Sequence, residues 1–266
     1  MPLAELIMGE TKGDDPVLFQ AHRGVSTEFP ENTMPAFRAA VEQGYQVIEL
    51  DPAFTADGCC VTFHDKTVNR TCRTRSGDAI EEAIPVADMT YEALLELDAG
   101  LFMGDRFRDT QVPLLSQVLA FAKEVGVLVK LDNKFERFSE ENKETFFTIV
   151  EKSGARVAFT CKNPESIPGV TARFPAAQIH YDGPVTEENL KLVKRLAGEN
   201  PLTVWLALPS ELTSWVTVPM ASPALCQMVK QYGSLGLWIL ETDAQLQQAK
   251  ELGADLIETT GAIKPE

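Results

Sequence analysis

Two carboxylates stand two residues apart at the end of a short apolar run, in QVIELD at 46–51. Side chains at positions i and i+2 of a strand point to the same face, so Glu49 and Asp51 can grip one hard cation with oxygen ligands. A third carboxylate, Asp132, lies in the next apolar run, VLVKLDN at 127–133, and is the natural third ligand. This ligand chemistry predicts one divalent cation, Mg²⁺ or Ca²⁺.

Two of the three histidines in the chain, His22 and His64, fall next to predicted strand ends. Two histidines near one metal site suit general acid–base chemistry, in which one accepts a proton from the nucleophile and the other donates one to the leaving alkoxide. We assign His22 as the base and His64 as the acid. The third histidine, His180, is expected in the core or at its rim.

Positive charge for a phosphate comes from two further residues. Arg23 can fork onto two phosphate oxygens, and Lys134 can supply a point charge. A phosphodiester transition state requires such charge, so the combination predicts metal-assisted phosphodiester chemistry. Among the aromatic residues, most are expected to be packing residues, and Trp238 alone is assigned to the substrate pocket.

The overall charge limits the classes of molecule that the chain is expected to bind. The chain of 266 residues has 39 acidic and 24 basic residues, a net charge of -15, which opposes binding to nucleic acid or to an anionic bilayer. No run reaches membrane-spanning length, and the N-terminal residues lack a basic segment followed by an apolar one. We therefore expect a small-molecule substrate, no stable membrane insertion and a cytoplasmic location, and we leave the oligomeric state open.

The elements that must position these residues alternate between short apolar runs and longer amphipathic segments, as in repeated βα units. Several helices begin at a capping residue such as Thr186 or Asp243. Eight strands with interleaved helices favour a closed (β/α) barrel over an open doubly wound sheet. The predicted strands are 17–22, 46–51, 127–133, 156–161, 177–181, 202–208, 235–240 and 255–258, and the predicted helices are 33–44, 115–125, 140–152, 164–174, 186–198, 223–232 and 243–252.

One stretch breaks the alternation. From about 53 to 112 the chain is too long for a simple βα loop, so we interpret it as a small insertion after strand two. No linker divides the chain, and residues 1–266 are predicted to form a single domain.

The segment 22–71 resembles the glycerophosphodiester phosphodiesterases, since it carries that family's H-R-G, P-E-N-T, E-x-D, T-x-D-G and H-D-x-x-x-x-R-T elements in order and spacing. Weaker similarity continues through VPLLSQVL at 112–119 and LGADLIETT at 252–260. The chain differs in having D-N-K at 132–134 where the family has E-x-K. It also has Glu241 where the family has an asparagine.

The resemblance implies a TIM barrel with a small insertion after strand two, one divalent metal, and catalytic histidines at His22 and His64. It further implies that Arg23 contacts phosphate, and that Glu31 orders the neighbouring loop or supports His22. Asn32 is expected to cap the helix that begins at Thr33.

The implied activity is hydrolysis of glycerophosphodiesters to glycerol phosphate and an alcohol, in glycerol and lipid metabolism. Water or a neighbouring substrate hydroxyl can be the nucleophile, and the sequence does not choose between them. Two alternatives stay open: a phosphodiesterase for lysophospholipid or sphingolipid headgroups, and a catalytically silent barrel that binds a phosphorylated ligand.

Overall fold

A computed structural model describes residues 17–209 and 219–265. Within these ranges eight strands follow the order β1-β10-β9-β8-β7-β6-β5-β2, which is that of a closed barrel. The predicted (β/α)8 barrel is therefore confirmed. The strands in chain order are β1 (Leu18–Ala21), β2 (Val47–Leu50), β3 (Pro52–Phe54), β4 (Cys60–Thr62), β5 (Leu128–Leu131), β6 (Val157–Cys161), β7 (Gln178–Tyr181), β8 (Leu202–Ala207), β9 (Ser234–Leu240) and β10 (Leu256–Thr259).

Helices alternate with the barrel strands, and the predicted helices and barrel strands have their ends within three residues of the observed ones. Thr186 caps its helix as predicted, since its side chain accepts from the Asn189 N–H. Asp243 was the wrong capping residue: Thr242 is the N-cap, and Asp243 lies in the first turn. The α-helices are α1 (Met34–Glu42), α2 (Tyr91–Leu95), α3 (Leu115–Val125), α4 (Glu140–Ser153), α5 (Ile167–Arg173), α6 (Glu187–Ala197), α7 (Pro223–Val229) and α8 (Asp243–Glu251).

The described residues form two compact units, one of residues 21–156 and the other of 17–20 with 157–209 and 219–265. In the second unit β6 to β10 pair in parallel, and their side chains form a core. Here the Trp205 indole N–H donates to Nδ1 of the fully buried His180 at 3.1 Å, so this histidine is a core residue, as expected. The prediction that the chain forms a single domain stays a prediction.

In the unit of residues 21–156, β2 pairs in parallel with β5. The chain reverses direction after β3, so that β4 pairs antiparallel with β3. Residues of β4 and of the segment after it form a hydrophobic cluster, in which Val61 and Phe63 pack with Val68 and Leu94. The segment up to α3 therefore has its own packing, while its status as an insertion stays a prediction.

The turn after β1 requires a glycine. Gly24 has φ +79°, and a Cβ atom there would lie 2.7 Å from the backbone of Ala36 in α1. Because no larger residue fits that approach, the glycine of the H-R-G element sets how closely α1 packs on the turn that carries His22 and Arg23.

No helix within residues 17–209 and 219–265 has both the length and the apolar character that a membrane crossing requires.

An aromatic cluster anchors α4. The ring of Phe146 is fully buried, and its centroid lies 5.9 Å from that of Phe135 and 5.8 Å from that of Phe138. We expect Phe146→Ala to lower the free energy of unfolding by about 3–5 kcal/mol, because it removes buried apolar surface and leaves a cavity.

Urea denaturation followed by circular dichroism measures this change. Val125→Ala is the control, since Val125 is 43% exposed and its truncation should change stability by no more than about 0.5 kcal/mol. Equal stability of the two variants would contradict the assignment of this cluster to the core.

Candidate active site

Three carboxylates converge at the ends of two neighbouring strands. Glu49 lies on β2, Asp51 directly follows it, and Asp132 directly follows β5. The register pairs Leu50 with Leu131, and the Asp132 N–H donates to the Leu50 carbonyl at 3.0 Å. One ligand oxygen from each carboxylate lies within 4.8 Å of the others. This set of oxygen donors fits one hard divalent cation.

The two aspartates have pKa values shifted in opposite directions. Burial and the neighbouring charge of Asp51 raise the pKa of Asp132. Burial works the same way on Asp51, but the charges of Lys134 and Arg23 outweigh it and hold the pKa of Asp51 well below its ordinary value. The cluster therefore concentrates negative charge at Asp51, and a cation between the carboxylates would relieve their repulsion.

Asn32 holds the Asp51 carboxylate. Its side-chain amide donates to Asp51 Oδ2 at 2.8 Å, and its Oδ1 accepts from the Asp51 N–H at 3.1 Å. The expectation that Asn32 caps α1 was wrong, because Thr33 is the N-cap and Asn32 has φ +56° with its side chain turned to Asp51. Asparagine tolerates this left-handed conformation better than most residues, which also suits it to a turn.

Arg23 connects the turn after β1 to the acidic cluster. Its backbone N–H donates to Glu49 Oε2 at 2.9 Å, and its Nε lies 3.3 Å from Asp51 Oδ2. Its Nη1 donates to Glu31 Oε1 at 3.0 Å. Arg23 also has φ +59°, a conformation that non-glycine residues adopt at a cost and that is common at functional sites.

Lys134 lies in a 3₁₀ turn, Asn133–Arg137, that follows Asp132. Its ammonium group donates to the carbonyls of Phe63 and His64 and lies 3.3 Å from Asp51 Oδ1. Lys134 therefore joins the acidic cluster to the backbone that carries His64.

The two histidines lie on short turns of the same unit. His22 directly follows β1, and its carbonyl accepts from the Ser26 hydroxyl at 3.0 Å. His64 follows β4, with the preceding Phe63 N–H donating to the Asp51 carbonyl at 2.8 Å. The His64 side chain is 38% exposed, and its Nδ1 lies 2.6 Å from Asp65 Oδ1. The positive charge of His64 also works to lower the pKa of Asp51, so the ring and the cluster interact electrostatically.

Three residues that sequence reasoning did not assign to the site contact it. Asn32 binds Asp51 as described, and Arg70 binds both Glu31 and Asp65. Lys130 is buried on β5 opposite Glu49, and its charge works to lower the pKa of Asp132. The signal for Lys130 was available, since a lysine two residues before Asp132 on a buried strand must share its face.

Trp238 lies on β9, in the unit that contains residues 157–209 and 219–265, and its side chain is half-buried. Its assignment to a substrate pocket stays a prediction.

Three converging carboxylates, in a unit that also contains Arg23, Lys134, His22 and His64, are compatible with several kinds of phosphate chemistry. The model of the glycerophosphoryl diester phosphodiesterase family matches residues 22–236, which is most of the chain. The chain belongs to this family. The resemblance that the H-R-G, P-E-N-T and E-x-D elements carried is thus confirmed.

Two named relatives match part of the chain. A glycerophosphodiester phosphodiesterase of Caldanaerobacter subterraneus is 40% identical over 114 residues, which cover 43% of this chain and 44% of that protein. Glycerophosphodiester phosphodiesterase 1 of Homo sapiens is 36% identical over 102 residues, covering 38% of this chain and 28% of that protein. The matching segment spans less than half the length of these curated relatives.

Solved structures match the fold over nearly the whole chain. A phosphodiesterase of Oleispira antarctica, in complex with the product sn-glycerol-3-phosphate, has a TM-score of 0.72 at 18% identity and covers 92% of this chain and 93% of its own. A glycerophosphodiester phosphodiesterase of Agrobacterium tumefaciens has a TM-score of 0.66 at 22% identity, covering 93% and 98%. At these identities the likeness supports the barrel fold of the family.

The structure yields a prediction for Asn32. Asn32→Ala and Asn32→Gly both remove the hydrogen bonds to Asp51, and we expect each to weaken Mg²⁺ binding by roughly 10–100-fold, as loss of an outer hydrogen-bond partner does. The alanine variant should also be less stable than the glycine variant by about 1–2 kcal/mol, because it must keep a left-handed backbone. Isothermal titration calorimetry and urea denaturation measure the two effects.

Asp109→Gly is the matched control. Asp109 also has a positive φ, +66°, but its side chain is 78% exposed, so this change should leave Mg²⁺ binding unchanged. Wild-type Mg²⁺ affinity in both Asn32 variants would mean that Asn32 does not order Asp51.

Proposed function

We propose that the chain hydrolyses glycerophosphodiesters to glycerol phosphate and an alcohol with the help of one divalent cation, Mg²⁺ or Ca²⁺. The observation that carries this proposal is the convergence of Glu49, Asp51 and Asp132 in a chain that belongs to this family. The Caldanaerobacter relative is named for this activity, and the Oleispira antarctica structure contains sn-glycerol-3-phosphate. Both support glycerol phosphate as the product.

Glu49, Asp51 and Asp132 would hold the cation, because three carboxylate oxygens within 4.8 Å of one another suit a hard ion. When bound there, such a cation supplies Lewis-acid polarisation of a phosphoryl oxygen. Asp132 has a shorter side chain than a glutamate, so its carboxylate depends closely on where β5 ends.

Arg23 and Lys134 supply the positive charge for the phosphate. Arg23 is already fixed by Glu31 and by its backbone bond to Glu49, which leaves its guanidinium preorganised rather than mobile. Lys134 directs its ammonium at two backbone carbonyls and Asp51, so it acts on the phosphate as a nearby charge more than as a hydrogen-bond donor.

His22 and His64 share the proton transfers, with His22 as the base toward the nucleophile and His64 as the acid toward the leaving alcohol. An ionised Asp65 holds the proton of His64 on Nδ1, so Nε2 is the nitrogen that exchanges a proton with the substrate. The hydrogen bonds from Arg70 hold the pKa of Asp65 at about 2, which keeps this partner ionised at neutral pH.

Trp238 is assigned to the pocket that receives the substrate. Its indole N–H is buried and makes no hydrogen bond within the described residues, which leaves a polar group in need of an acceptor.

Removal of either histidine should stop turnover. We expect His22→Ala and His64→Ala to lower kcat by about a hundredfold or more, the usual worth of a general acid or base. Release of glycerol 3-phosphate from glycerophosphocholine, read by a coupled enzyme assay, measures the loss. Lys66→Ala, an exposed change two residues from His64, is the control and should keep wild-type turnover.

Two-histidine catalysis fails as an explanation if either alanine variant turns over within a few-fold of wild type while its melting temperature is unchanged.

Activity should require the cation at the three carboxylates. We expect EDTA to abolish turnover and Mg²⁺ or Ca²⁺ to restore it. Asp132→Asn should weaken Mg²⁺ binding in calorimetry by more than the roughly 10–100-fold typical of an outer partner, because a ligand oxygen loses its charge. Asp88→Asn, an exposed acidic residue far along the sequence, should bind Mg²⁺ as wild type does.

The choice of substrate separates the proposal from its alternatives. Turnover of glycerophosphocholine supports the proposal, and turnover only of lysophosphatidylcholine or sphingomyelin would replace it with a lipid-headgroup phosphodiesterase. Binding of glycerol 3-phosphate without turnover of any diester would leave a silent phospho-ligand-binding barrel.

A further inference from the structure

Arg70 joins two segments that lie far apart in the sequence. Its Nη1 and Nη2 each donate to one oxygen of the Glu31 carboxylate at 2.7 Å. Its Nε donates to Asp65 Oδ2 at 2.6 Å, and Nη2 also reaches Asp65 Oδ1 at 3.0 Å. One guanidinium therefore binds two carboxylates with four hydrogen bonds.

Each of these carboxylates has a second partner in the proposed active site. Asp65 Oδ1 lies 2.6 Å from His64 Nδ1, and Glu31 Oε1 accepts from Arg23 Nη1 at 3.0 Å. Charges alternate along this chain of contacts, so each carboxylate is held between two cationic or hydrogen-bonding groups. Arg70 is the one residue in it that binds both carboxylates.

The contribution of Arg70 to stability is not a sufficient reason for this arrangement. Its side chain is 47% exposed, and ion pairs of that exposure typically add little to stability because water screens them. The arrangement does fix the orientation of the two carboxylates, because a planar guanidinium fork sets the plane of each carboxylate that it binds.

We propose that Arg70 is a positioning residue for the phosphodiester reaction, whose guanidinium fixes the Asp65 carboxylate against His64 and the Glu31 carboxylate against Arg23. The inference rests on the proposed function, because it takes the roles of His64 and Arg23 from there. Arg70 itself touches neither the acidic cluster nor, on this proposal, the substrate.

The two carboxylates predict two separable effects. Without a fixed Asp65, the His64 ring loses its preferred tautomer and orientation, which lowers kcat. Without a fixed Glu31, the Arg23 guanidinium gains freedom and holds the phosphate less well, which raises KM. Asp65→Asn should therefore act mainly on kcat, and Glu31→Gln mainly on KM.

The test compares Arg70→Gln and Arg70→Lys with wild type on glycerophosphocholine. We expect kcat to fall by roughly ten- to hundredfold in both, since a small misplacement of a catalytic group can cost that much. Lysine keeps the charge but lacks the fork, so it should not restore the rate. Arg108→Gln removes another exposed arginine, paired with Asp105 at 2.7 Å, and should keep kcat and KM within about twofold.

A double-mutant cycle shows whether Arg70 acts through Asp65. The variant Arg70→Gln with Asp65→Asn should be no slower than the slower single variant, because both changes break the same link. If the kcat losses of the two single variants multiply in the double variant, the proposal is overturned, since Arg70 then acts independently of Asp65.

The tautomer of His64 gives a readout that does not depend on turnover. Long-range ¹H–¹⁵N spectra of a chain with only three histidines, recorded at a pH where the ring is neutral, should show the His64 proton on Nδ1 in the wild type and a mixture of tautomers in Arg70→Gln. If Arg70→Gln fails to fold, Arg70→Lys and Asp65→Asn break the same link and carry the test.

The outcomes distinguish the two proposals. Wild-type kcat, KM and tautomer in the Arg70 variants overturn the positioning role while leaving the proposed function intact. Wild-type turnover in His64→Ala overturns the proposed function, and the tautomer spectra then still decide whether Arg70 positions the ring.

Discussion

The carboxylate of Asp51 is 4% exposed and ionised, and much of the structure in residues 21–156 follows from the need to compensate it. A buried charge without partners is too costly to keep, so each of its oxygens must meet a cation or a hydrogen-bond donor. Arg23, Asn32 and Lys134 meet that need, and they come from three different turns. Compensation of one charge thus fixes the turns after β1, before α1 and after β5 relative to β2.

Local strain is concentrated in the same place. Arg23 and Asn32 both have a positive φ, which non-glycine residues keep only where other contacts demand it. Both residues contact Asp51, and Gly24 beside them packs too closely on Ala36 for a side chain. The contacts with the Asp51 carboxylate therefore determine the backbone conformation of this turn. The H-R-G and P-E-N-T elements supply the residues that this conformation requires.

Much of this could be predicted from the sequence, because strand ends can be inferred from the apolar runs before them. The positions of Glu49, Asp51 and Asp132 followed from the alternation of side chains along strands and from the way parallel strands end on one side. The side-chain partner of Asn32 could not be inferred in this way. An asparagine before a helix usually caps it, and only the turn that carries Asn32 past Asp51 gives its amide a stronger acceptor.

The contacts of Arg70 could not be predicted from the sequence for a related reason. The H-D-x-x-x-x-R-T element singles out Arg70, but no local pattern states that its side chain will meet Glu31, which lies 39 positions away. The N-cap of α8 was predicted one residue too late for a simpler reason. Thr242 and Asp243 are both capping residue types, and backbone geometry alone decides which becomes the N-cap.

The residues at the rim of the alternating charges are more exposed than those next to the cluster, and this difference explains how the site can be both accessible and rigid. The side chains of His64 and Arg70 are 38% and 47% exposed, whereas those of Glu31 and Arg23 are 14% and 17% exposed. Screening by water weakens the outer ion pairs. The carboxylates there keep their orientation through paired hydrogen bonds, which the fork of Arg70 supplies. The inner contacts are less screened, so the charges of Arg23 and Lys134 act strongly on Asp51, beside the hydrogen bonds from Asn32. At the centre, Lys134 and Arg23 both lie 3.3 Å from Asp51 and compensate its charge, whereas at the rim the paired donors of Arg70 orient the carboxylates that they bind.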